Sequence, residues 1–400
     1  LVIFFSILKM KPQSYIIFFI IILISFFLLN SFPSKMEIIK ALQFTLIFAC
    51  VFPTLIFLRS IAMEMPSVKK TQNRLKKLDP ENSSLGLQIT SHFLGGVINV
   101  GSFPLIAATI SKNENKKIRK IAAEASLRGM NSAVLWSPFF VSFAVASAYF
   151  PNGFEMYAIL LGIFTSFFFN FISIFIFTNR KNKNLISYGF YPLVPIFTRL
   201  FIIMISVVII SIITGFTALH AVVATMPLLF VFQILRRKKL LKKILTNFYN
   251  LEKAAGDELV IICFSMVIAT LAAKSTLILP IVEFLLGNNS DIWKFVLFLP
   301  IFVWFISIFG IHPVISSAPI LAILSPYVSV YDAIFLMQSH MIGWASGTMT
   351  SFSSMSIITV ANQFNLKPLE LAFGKNLFVS GCLSIIGGTV NSILYFLLKV

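Results

Sequence analysis

Two polar stretches inside apolar sequence carry residues that could bind ions: Gly95–Ala107 and Gly310–Ala322. Serine and asparagine oxygens suit Na⁺, and backbone N–H groups at the start of a helix attract anions. The two stretches lie 215 residues apart, and at that offset several residue types recur. The matching positions are Gly95 with Gly310, Ser102 with Ser317, Pro104 with Pro319 and Ala107 with Ala322. Such a repeat is typical of a chain whose two halves share one binding site.

A second polar interruption follows each stretch, at Leu135–Phe139 and at Gly347–Ser356. Pro138 removes a hydrogen bond from inside a helix, and glycine and serine allow the backbone to open. A helix broken inside a membrane exposes partly positive N–H groups and partly negative carbonyl groups. We therefore expect two hairpin tips and two broken helices to meet around one anion site flanked by a pair of cation sites.

The candidate ligands are the polar and helix-breaking residues of these four segments. The predicted substrate-binding residues are Asn99, Ser102, Ser137, Pro138, Ser317, Ser351, Ser353 and Ser354. The predicted ligands of Na⁺, as a coupling ion, are Asn99, Gly101, Ser316 and Thr350. A serine or threonine in a membrane helix also commonly bonds to the backbone of its own helix, so each single residue has a structural alternative.

Ionisable residues within apolar helices are candidates for proton coupling because a charge inside a membrane is costly. The candidates are Asp332, His340 and His312. Asp332 lies near the predicted outer end of its helix, where water could solvate it. Glu124 and Arg128 are four residues apart, and we expect them to form an ion pair at the cytoplasmic edge.

The composition excludes a soluble domain, since 58% of the residues are hydrophobic, only 12% are charged and 45 are Phe. The net charge of +18 comes from Lys and Arg in short connections between apolar runs, a pattern that membrane topology explains better than nucleic-acid binding. The three cysteines lie in apolar segments without metal-ligand spacing. We therefore expect no cofactor and no nucleic-acid partner.

The positions of the basic residues predict how the chain crosses the membrane. Basic clusters fall in 59–84, 111–120, 179–184 and 236–243, which the positive-inside rule places in the cytoplasm. Segment 86–110 has such a cluster on both sides, so we expect it to enter and leave on the cytoplasmic side. Unbroken spans are predicted at 15–32, 38–58, 154–178, 192–213, 217–235, 256–286 and 376–398.

Together these patterns predict an all-α polytopic membrane protein, built as an inverted-topology repeat with about nine full spans. Its N-terminus is expected in the cytoplasm of a bacterium and its C-terminus outside the inner membrane. The first predicted repeat covers 1–180, with a re-entrant hairpin at 86–110 and a broken transmembrane helix at 121–150. A linking span covers 181–215. The second predicted repeat covers 216–400, with a hairpin at 292–326 and a broken helix at 331–363.

This arrangement resembles the ion transporter superfamily, which holds divalent-anion/sodium symporters, citrate and arsenite permeases and the large membrane subunit of tripartite carboxylate transporters. The resemblance rests on the tip motifs Asn99–Pro104 and Ser316–Pro319 and on the helix breaks Trp136–Pro138 and Ser351–Ser354. It implies that hairpins and breaks hold Na⁺ and a substrate carboxylate, and that one part of the protein moves like an elevator against a scaffold.

The expected function is secondary active transport of a small organic anion, coupled to Na⁺ or H⁺, and not catalysis. A Na⁺/H⁺ antiporter or an inorganic-anion permease of the same fold stays open, as does a membrane subunit that needs a periplasmic binding protein. An integral-membrane enzyme such as a lipid-linked sugar polymerase would carry charged catalytic residues in a large outer loop, whereas the predicted outer connections are short and nearly uncharged. The expected partners are the lipid bilayer and a small anionic solute, and a homodimer stays open.

Overall fold

The computed structural model describes residues 12–28, 53–78, 80–111, 113–150, 155–177, 189–236, 241–276, 279–287 and 292–398, with a few isolated positions before residue 40. This part of the chain is helical and contains no strand, as the sequence predicts.

The helices are numbered in chain order. In the first part they are α1 (Pro12–Leu28), α2 (Pro53–Met63), α3 (Pro66–Leu75), α4 (Pro80–Ile98), α5 (Ser102–Ala107), α6 (Lys116–Ala133), α7 (Val141–Tyr149), α8 (Glu155–Phe177) and α9 (Val194–Thr214). In the second part they are α10 (Ala218–Arg236), α11 (Leu241–Ala272), α12 (Leu279–Leu286), α13 (Ile292–Ile308), α14 (Pro313–Leu324), α15 (Val330–Thr350), α16 (Met355–Phe364), α17 (Pro368–Ala372) and α18 (Lys375–Leu397).

Several described helices are long and apolar enough to cross a membrane. Helix α8 shows the pattern most clearly, because it buries Gly162 and Ser166 against the protein while Phe167 is 67% exposed. Small residues inside and large apolar residues outside are typical of a helix that packs in lipid. The chain is therefore a multi-pass membrane protein, and its full count of nine spans stays a prediction. The four candidate spans by length and composition are Ser84–Ala107, Glu155–Phe177, Tyr191–Thr214 and Lys375–Leu397.

The same order of helices occurs twice along the chain. In the first part α4 is followed by a break, then α5, α6, a second break, α7 and α8. In the second part α13 is followed by a break, then α14, α15, a second break, α16 and, after α17, α18. At the 215-residue offset α7 falls on 356–364, and α16 covers Met355–Phe364. The short arms α5 and α14 each contact the long helix that precedes them.

Local sequence explains where these helices begin and end. Pro313 starts α14, a position where the missing N–H of proline is not needed. Ser354 starts α16 by accepting a hydrogen bond from the N–H of Ile357. Asn365 ends α16 in the left-handed conformation at φ +51°, which asparagine adopts more readily than most residues.

Two predicted spans differ from the structure or escape its description. The span expected over 256–286 is not one helix: α11 ends at Ala272, and α12 begins at Leu279. Pro280 in the first turn of α12 explains the interruption, since proline disfavours helix in the residue before it and cannot donate a hydrogen bond. The span expected over 38–58 lies mostly outside the described residues, which include only its end, in α2.

The helices that carry the breaks pack very closely in each half. Helix α4 lies along α6, and α15 lies between α13 and α18. At Gly129 of α6, a Cβ atom would lie 2.0 Å from the carbonyl oxygen of Gln88 in α4. Only glycine permits this approach. The contact fixes the position of α6 along α4, and so the position of the first helix break relative to the first tip.

Candidate functional site

The first tip is the short turn between α4 and α5, and it lies within the candidate span Ser84–Ala107. Asn99 begins a single 3₁₀ turn at φ +52°, and its side-chain Oδ1 accepts a hydrogen bond of 2.7 Å from the N–H of Val100. The Ser102 hydroxyl donates to the Asn99 carbonyl at 2.9 Å. Gly101 packs against the Arg59 side chain, where a Cβ would lie 3.0 Å from Cγ. Asn99 and Ser102 therefore hold the shape of the turn.

The second tip turns between α13 and α14. Gly310 has φ +83°, a conformation that side chains rarely tolerate. His312 lies just before α14, and its Nδ1 accepts a hydrogen bond of 3.3 Å from the N–H of Val314. The hydroxyls of Ser316 and Ser317 both donate to the Pro313 carbonyl of their own helix, at 3.1 and 2.9 Å.

The first helix break separates α6 from α7. The Ser137 hydroxyl donates to the carbonyl of Gly96 in the first hairpin, and its oxygen accepts from the N–H of Phe139 at 3.2 Å. Pro138 follows Ser137 and prevents α6 from continuing. No side chain caps α7, which begins at Val141. The first backbone N–H groups of α7 are thus left for another partner.

The second helix break separates α15 from α16. The Ser353 hydroxyl donates to the carbonyl of Gly310, and Ser351 lies 3.1 Å from Ser353 between their Oγ atoms. The Ser354 hydroxyl donates to the Thr348 carbonyl at 2.9 Å. Thr350 donates to the Ser346 carbonyl at 3.1 Å inside α15. These hydroxyls therefore stabilise the opened backbone.

The two breaks hold their hairpins in the same way. In the pair Trp136-Ser137, the indole lies over Gly96 and the hydroxyl bonds to the Gly96 carbonyl. In the pair Phe352-Ser353, the phenyl ring lies over Gly310 and the hydroxyl bonds to the Gly310 carbonyl. We call each aromatic–serine pair with its glycine a clasp. Both clasps fix a tip to the neighbouring break.

A narrow cleft, with about 20 Å³ of free space, lies where the tips and breaks meet. It takes residues from the first tip, from the second tip and from both sides of both breaks. Among the described residues no Lys, Arg, Asp or Glu lines it. The lining residues are Asn99, Val100, Asn131, Val134, Phe140, Val141, His312, Trp344, Thr348, Met355 and Ser356.

The cleft lies at the N-terminal ends of three helices. Phe140 and Val141 begin α7, His312 precedes α14, and Met355 and Ser356 begin α16. The N-terminus of a helix carries a partial positive charge and N–H groups without intrahelical partners. Among the described residues no acidic side chain lines the cleft at these helix ends, although His312 and Ser354 each accept a hydrogen bond from a first-turn N–H group.

A hydrogen bond across the cleft joins the two parts of the chain. Thr348 of α15 donates from Oγ1 to Oδ1 of Asn131 in α6 at 2.6 Å, and the Trp344 carbonyl of its own helix lies 2.8 Å from the same oxygen. The Asn131 Nδ2 donates to the Leu127 carbonyl at 2.9 Å, which fixes the orientation of the amide. Both side chains are more than nine-tenths buried.

The sequence analysis did not select five polar or aromatic lining residues: Asn131, Phe140, Trp344, Thr348 and Ser356. Asn131 lies within regular helix, and Thr348 lies in the predicted interruption 347–356, of which the first four residues are helical in the structure. One signal could have found Thr348, because His340, Trp344 and Thr348 recur every four residues and so share one face of α15.

The structure brings only Asn99 and His312 of the predicted site residues to the wall of the cleft. The other predicted ligands lie behind this wall or shape the tips and breaks. They are Gly101, Ser102, Ser137, Pro138, Ser316, Ser317, Thr350, Ser351, Ser353 and Ser354.

The three candidates for proton coupling have different surroundings. Asp332 caps α15 together with Ser329, and its Oδ1 accepts a hydrogen bond of 2.7 Å from Tyr395. His340 is buried and bonds through Nε2 to the Ser142 carbonyl at 3.1 Å. His312 lines the cleft. Asp332 thus uses both carboxylate oxygens in holding the end of a helix.

The expected ion pair between Glu124 and Arg128 is not formed. Arg128 donates from Nε to Gln88 at 3.1 Å and from Nη1 to Asn376 at 2.9 Å. Glu124 instead accepts from the Lys375 backbone N–H at 3.2 Å. The helix α18 covers this part of α6 and offers polar partners that spacing along α6 alone cannot reveal.

Comparison with models of known protein families and with characterised proteins gives no match for this sequence.

Proposed function

We propose that the protein is a secondary active transporter of a small organic anion of the carboxylate type. The observation that carries the proposal is the convergence of three helix N-termini on one uncharged cleft between two alike parts of the chain. Helix ends attract a negative charge without supplying a fixed cation. An anion held only in this way can also leave, as transport requires.

The lining favours an organic anion over an inorganic one. Val134, Phe140, Val141 and Met355 supply apolar surface beside the N–H groups and the polar side chains of Asn131 and Thr348. An apolar wall with a few placed polar groups suits a ligand that has a hydrocarbon part and one polar end. Oxyanions without carbon would leave this apolar surface unused.

The repeated order of helices supports alternating access. In our proposal the two parts are inverted repeats with re-entrant hairpins, as in the ion transporter superfamily that the motifs resemble, and together make about nine spans. The clasps at Gly96 and Gly310 tie each tip to a break, so each tip can move with its broken helix as one body. The proposed location is a bacterial inner membrane, with the N-terminus in the cytoplasm.

Uptake into proteoliposomes tests the proposal. The purified protein is supplied with a panel of labelled carboxylates, with and without an inward gradient of Na⁺ or of H⁺. We expect gradient-driven accumulation of at least one carboxylate. Accumulation of phosphate, arsenite or arsenate alone, or of no solute, would overturn the organic-anion proposal.

A matched pair of threonine variants tests the cleft. Thr348→Val removes the hydrogen bond to Asn131 in the cleft, whereas Thr389→Val changes a threonine on an exposed face of α18 that bonds only to the Ile385 carbonyl. We expect Thr348→Val to raise the KM for uptake by about tenfold, the value of a hydrogen bond of about 1.4 kcal/mol. Thr389→Val should transport like the parent. Equal behaviour of the two variants would place the binding site elsewhere.

A further inference from the structure

Polar side chains form a continuous seam through the first part of the protein, beside the first clasp. Their four-residue spacing places them on facing sides of three helices. The members of this polar seam are Gln88 and His92 of α4, Arg128 and Ser132 of α6, Trp136 of the first helix break, and Ser166, Asn170 and Ser173 of α8.

The hydrogen bonds of His92 define which ring nitrogen carries the proton. The indole Nε1–H of Trp136 donates to Nε2 of His92 at 3.3 Å. An indole nitrogen can only donate, so Nε2 is unprotonated and the neutral ring carries its hydrogen on Nδ1. Nδ1 then donates to the Ser132 hydroxyl oxygen at 2.8 Å, and Ser132 donates onward to the Gly129 carbonyl at 2.6 Å. Asn170 also donates to the Ser132 oxygen, at 2.8 Å.

A second proton on His92 would break this arrangement at one point. The only ring position that can accept it is Nε2, which faces the N–H of Trp136. The N–H group at Nε2 of His92 would then face the N–H group of Trp136. The indole nitrogen cannot accept a hydrogen bond, so the bond between the two rings would be lost. The bond to Ser132 would be unaffected, because Nδ1 already donates there. Protonation of His92 therefore acts on Trp136 alone.

Trp136 transmits such a change to the cleft. Its indole belongs to the first clasp, where a Cβ at Gly96 would lie 2.9 Å from the ring. The next residue, Ser137, bonds to the Gly96 carbonyl. Asn99, which lines the cleft, lies three residues beyond Gly96 in the tip. A displaced indole thus loosens the contact that fixes the first tip to the first break.

No charged side chain touches His92 among the described residues, so a proton there would be the main change of charge in this region. Arg128 belongs to the same seam but reaches His92 only through Gln88 and Asn170. Three helices that pack against α4 carry charged residues. Helix α3 carries Lys69, Lys70 and Arg74, of which Arg74 stacks on Tyr191. Helix α6 carries Lys116, Lys117, Arg119, Lys120, Glu124 and Arg128, and α9 carries Arg199, which bonds to Ser67.

We propose that His92 is the proton-coupling residue of the transporter, and that its protonation releases Trp136 from the first clasp and frees the first tip to move. This inference rests on the proposed transport function and adds the coupling ion and its site. A population shift needs an interaction that differs between two states, and the bond from Trp136 to His92 supplies it.

Uptake measurements with two histidine variants test the coupling. His92→Gln keeps an acceptor for Trp136 but cannot bind a proton, while His220→Gln changes an exposed histidine that bonds only to Thr217. We expect His92→Gln to lose stimulation of uptake by an inward H⁺ gradient and to keep exchange of labelled for unlabelled solute. His220→Gln should keep both. Full H⁺ stimulation in His92→Gln, or uptake by the parent that responds to Na⁺ and not to H⁺, would overturn the proposal.

A measurement without transport separates failure of this inference from failure of the proposed function. Replacement of Trp293, Trp304 and Trp344 by Phe leaves Trp136 as the single source of indole fluorescence. We expect its emission to change as the pH is lowered and His92 takes up a proton, and expect His92→Gln but not His220→Gln to abolish the change. If the triple variant does not fold, the difference between the parent and Trp136→Phe gives the same signal. Emission from Trp136 that ignores pH, or that follows pH equally in His92→Gln, would overturn the inference even if uptake is observed.

Discussion

Single side chains in this protein hold the backbone open where helices break. Ser137 and Ser353 each donate to a carbonyl of a hairpin glycine, and Ser354 donates to the Thr348 carbonyl. A carbonyl that leaves its helical partner inside a membrane needs another donor, because no water is available there. These serines supply the donors, which explains why so many hydroxyls cluster near the site without lining it.

Glycine at the second tip is required for two separate reasons. In Gly310→Ala the new side chain would adopt φ +83° and would also meet the Phe352 ring at 2.4 Å. In the control Gly215→Ala the backbone is strained in the same way, at φ +69°, but no atom lies within 4 Å. The shared strain costs about 1–2 kcal/mol.

We therefore predict a larger loss of stability for Gly310→Ala than for Gly215→Ala. The midpoint of thermal unfolding of the detergent-purified proteins measures it. Equal losses of stability would mean that the Phe352 ring does not pack on Gly310, which would contradict the second clasp.

At the scale of whole elements, the beginning of α16 decides the shape of the cleft. The Ser354 oxygen accepts from the N–H of Ile357, and its hydrogen bonds to the Thr348 carbonyl, so one hydroxyl joins the end of α15 to the start of α16. Loss of such a cap exposes the first turn of the helix to fraying.

We predict that Ser354→Ala lowers stability by about 1–2 kcal/mol and weakens uptake, because the N–H groups of α16 would lose their fixed direction. Ser354→Thr keeps the cap and should restore both. A suitable control is Ser206→Ala, which removes a hydroxyl that bonds only to the Ile202 carbonyl of its own helix. If Ser354→Ala has the stability and uptake of the parent, the Ser354 cap does not determine the shape of the cleft.

The sequence was sufficient to locate the helix breaks but not to choose the lining of the cleft. Pro138 cannot donate the hydrogen bond that would continue α6, and the serines at 351–354 favour turns, so their effect is local and predictable. Whether a hydroxyl faces the cleft or bonds to its own backbone depends on helix rotation. Ser102 and Ser317 use their hydroxyls on nearby carbonyls, while Thr348 reaches across to α6.

For the whole molecule, the important contacts are those that join the two parts across the cleft. Thr348 near the end of α15 bonds to Asn131 near the end of α6, and His340 of α15 bonds to Ser142 at the start of α7. Arg128 of α6 bonds to Asn376 at the start of α18. Each pair joins a residue of the first part to one of the second. The anion that we propose would bind among the first two contacts, so its binding and the relative position of the two parts are expected to affect each other.

Protection of a cleft thiol by the transported anion tests the central claim most directly. After Cys50, Cys263 and Cys382 are replaced by Ala, Met355→Cys places a thiol at the partly exposed start of α16 in the cleft, and Thr389→Cys places one on the outer face of α18. The rate of labelling by a small membrane-permeant thiol reagent is measured with and without a saturating carboxylate. We predict that the carboxylate slows labelling only in Met355→Cys, and that labelling there stops uptake. Labelling of Met355→Cys at the same rate with and without a transported carboxylate would contradict the claim that the anion binds in this cleft.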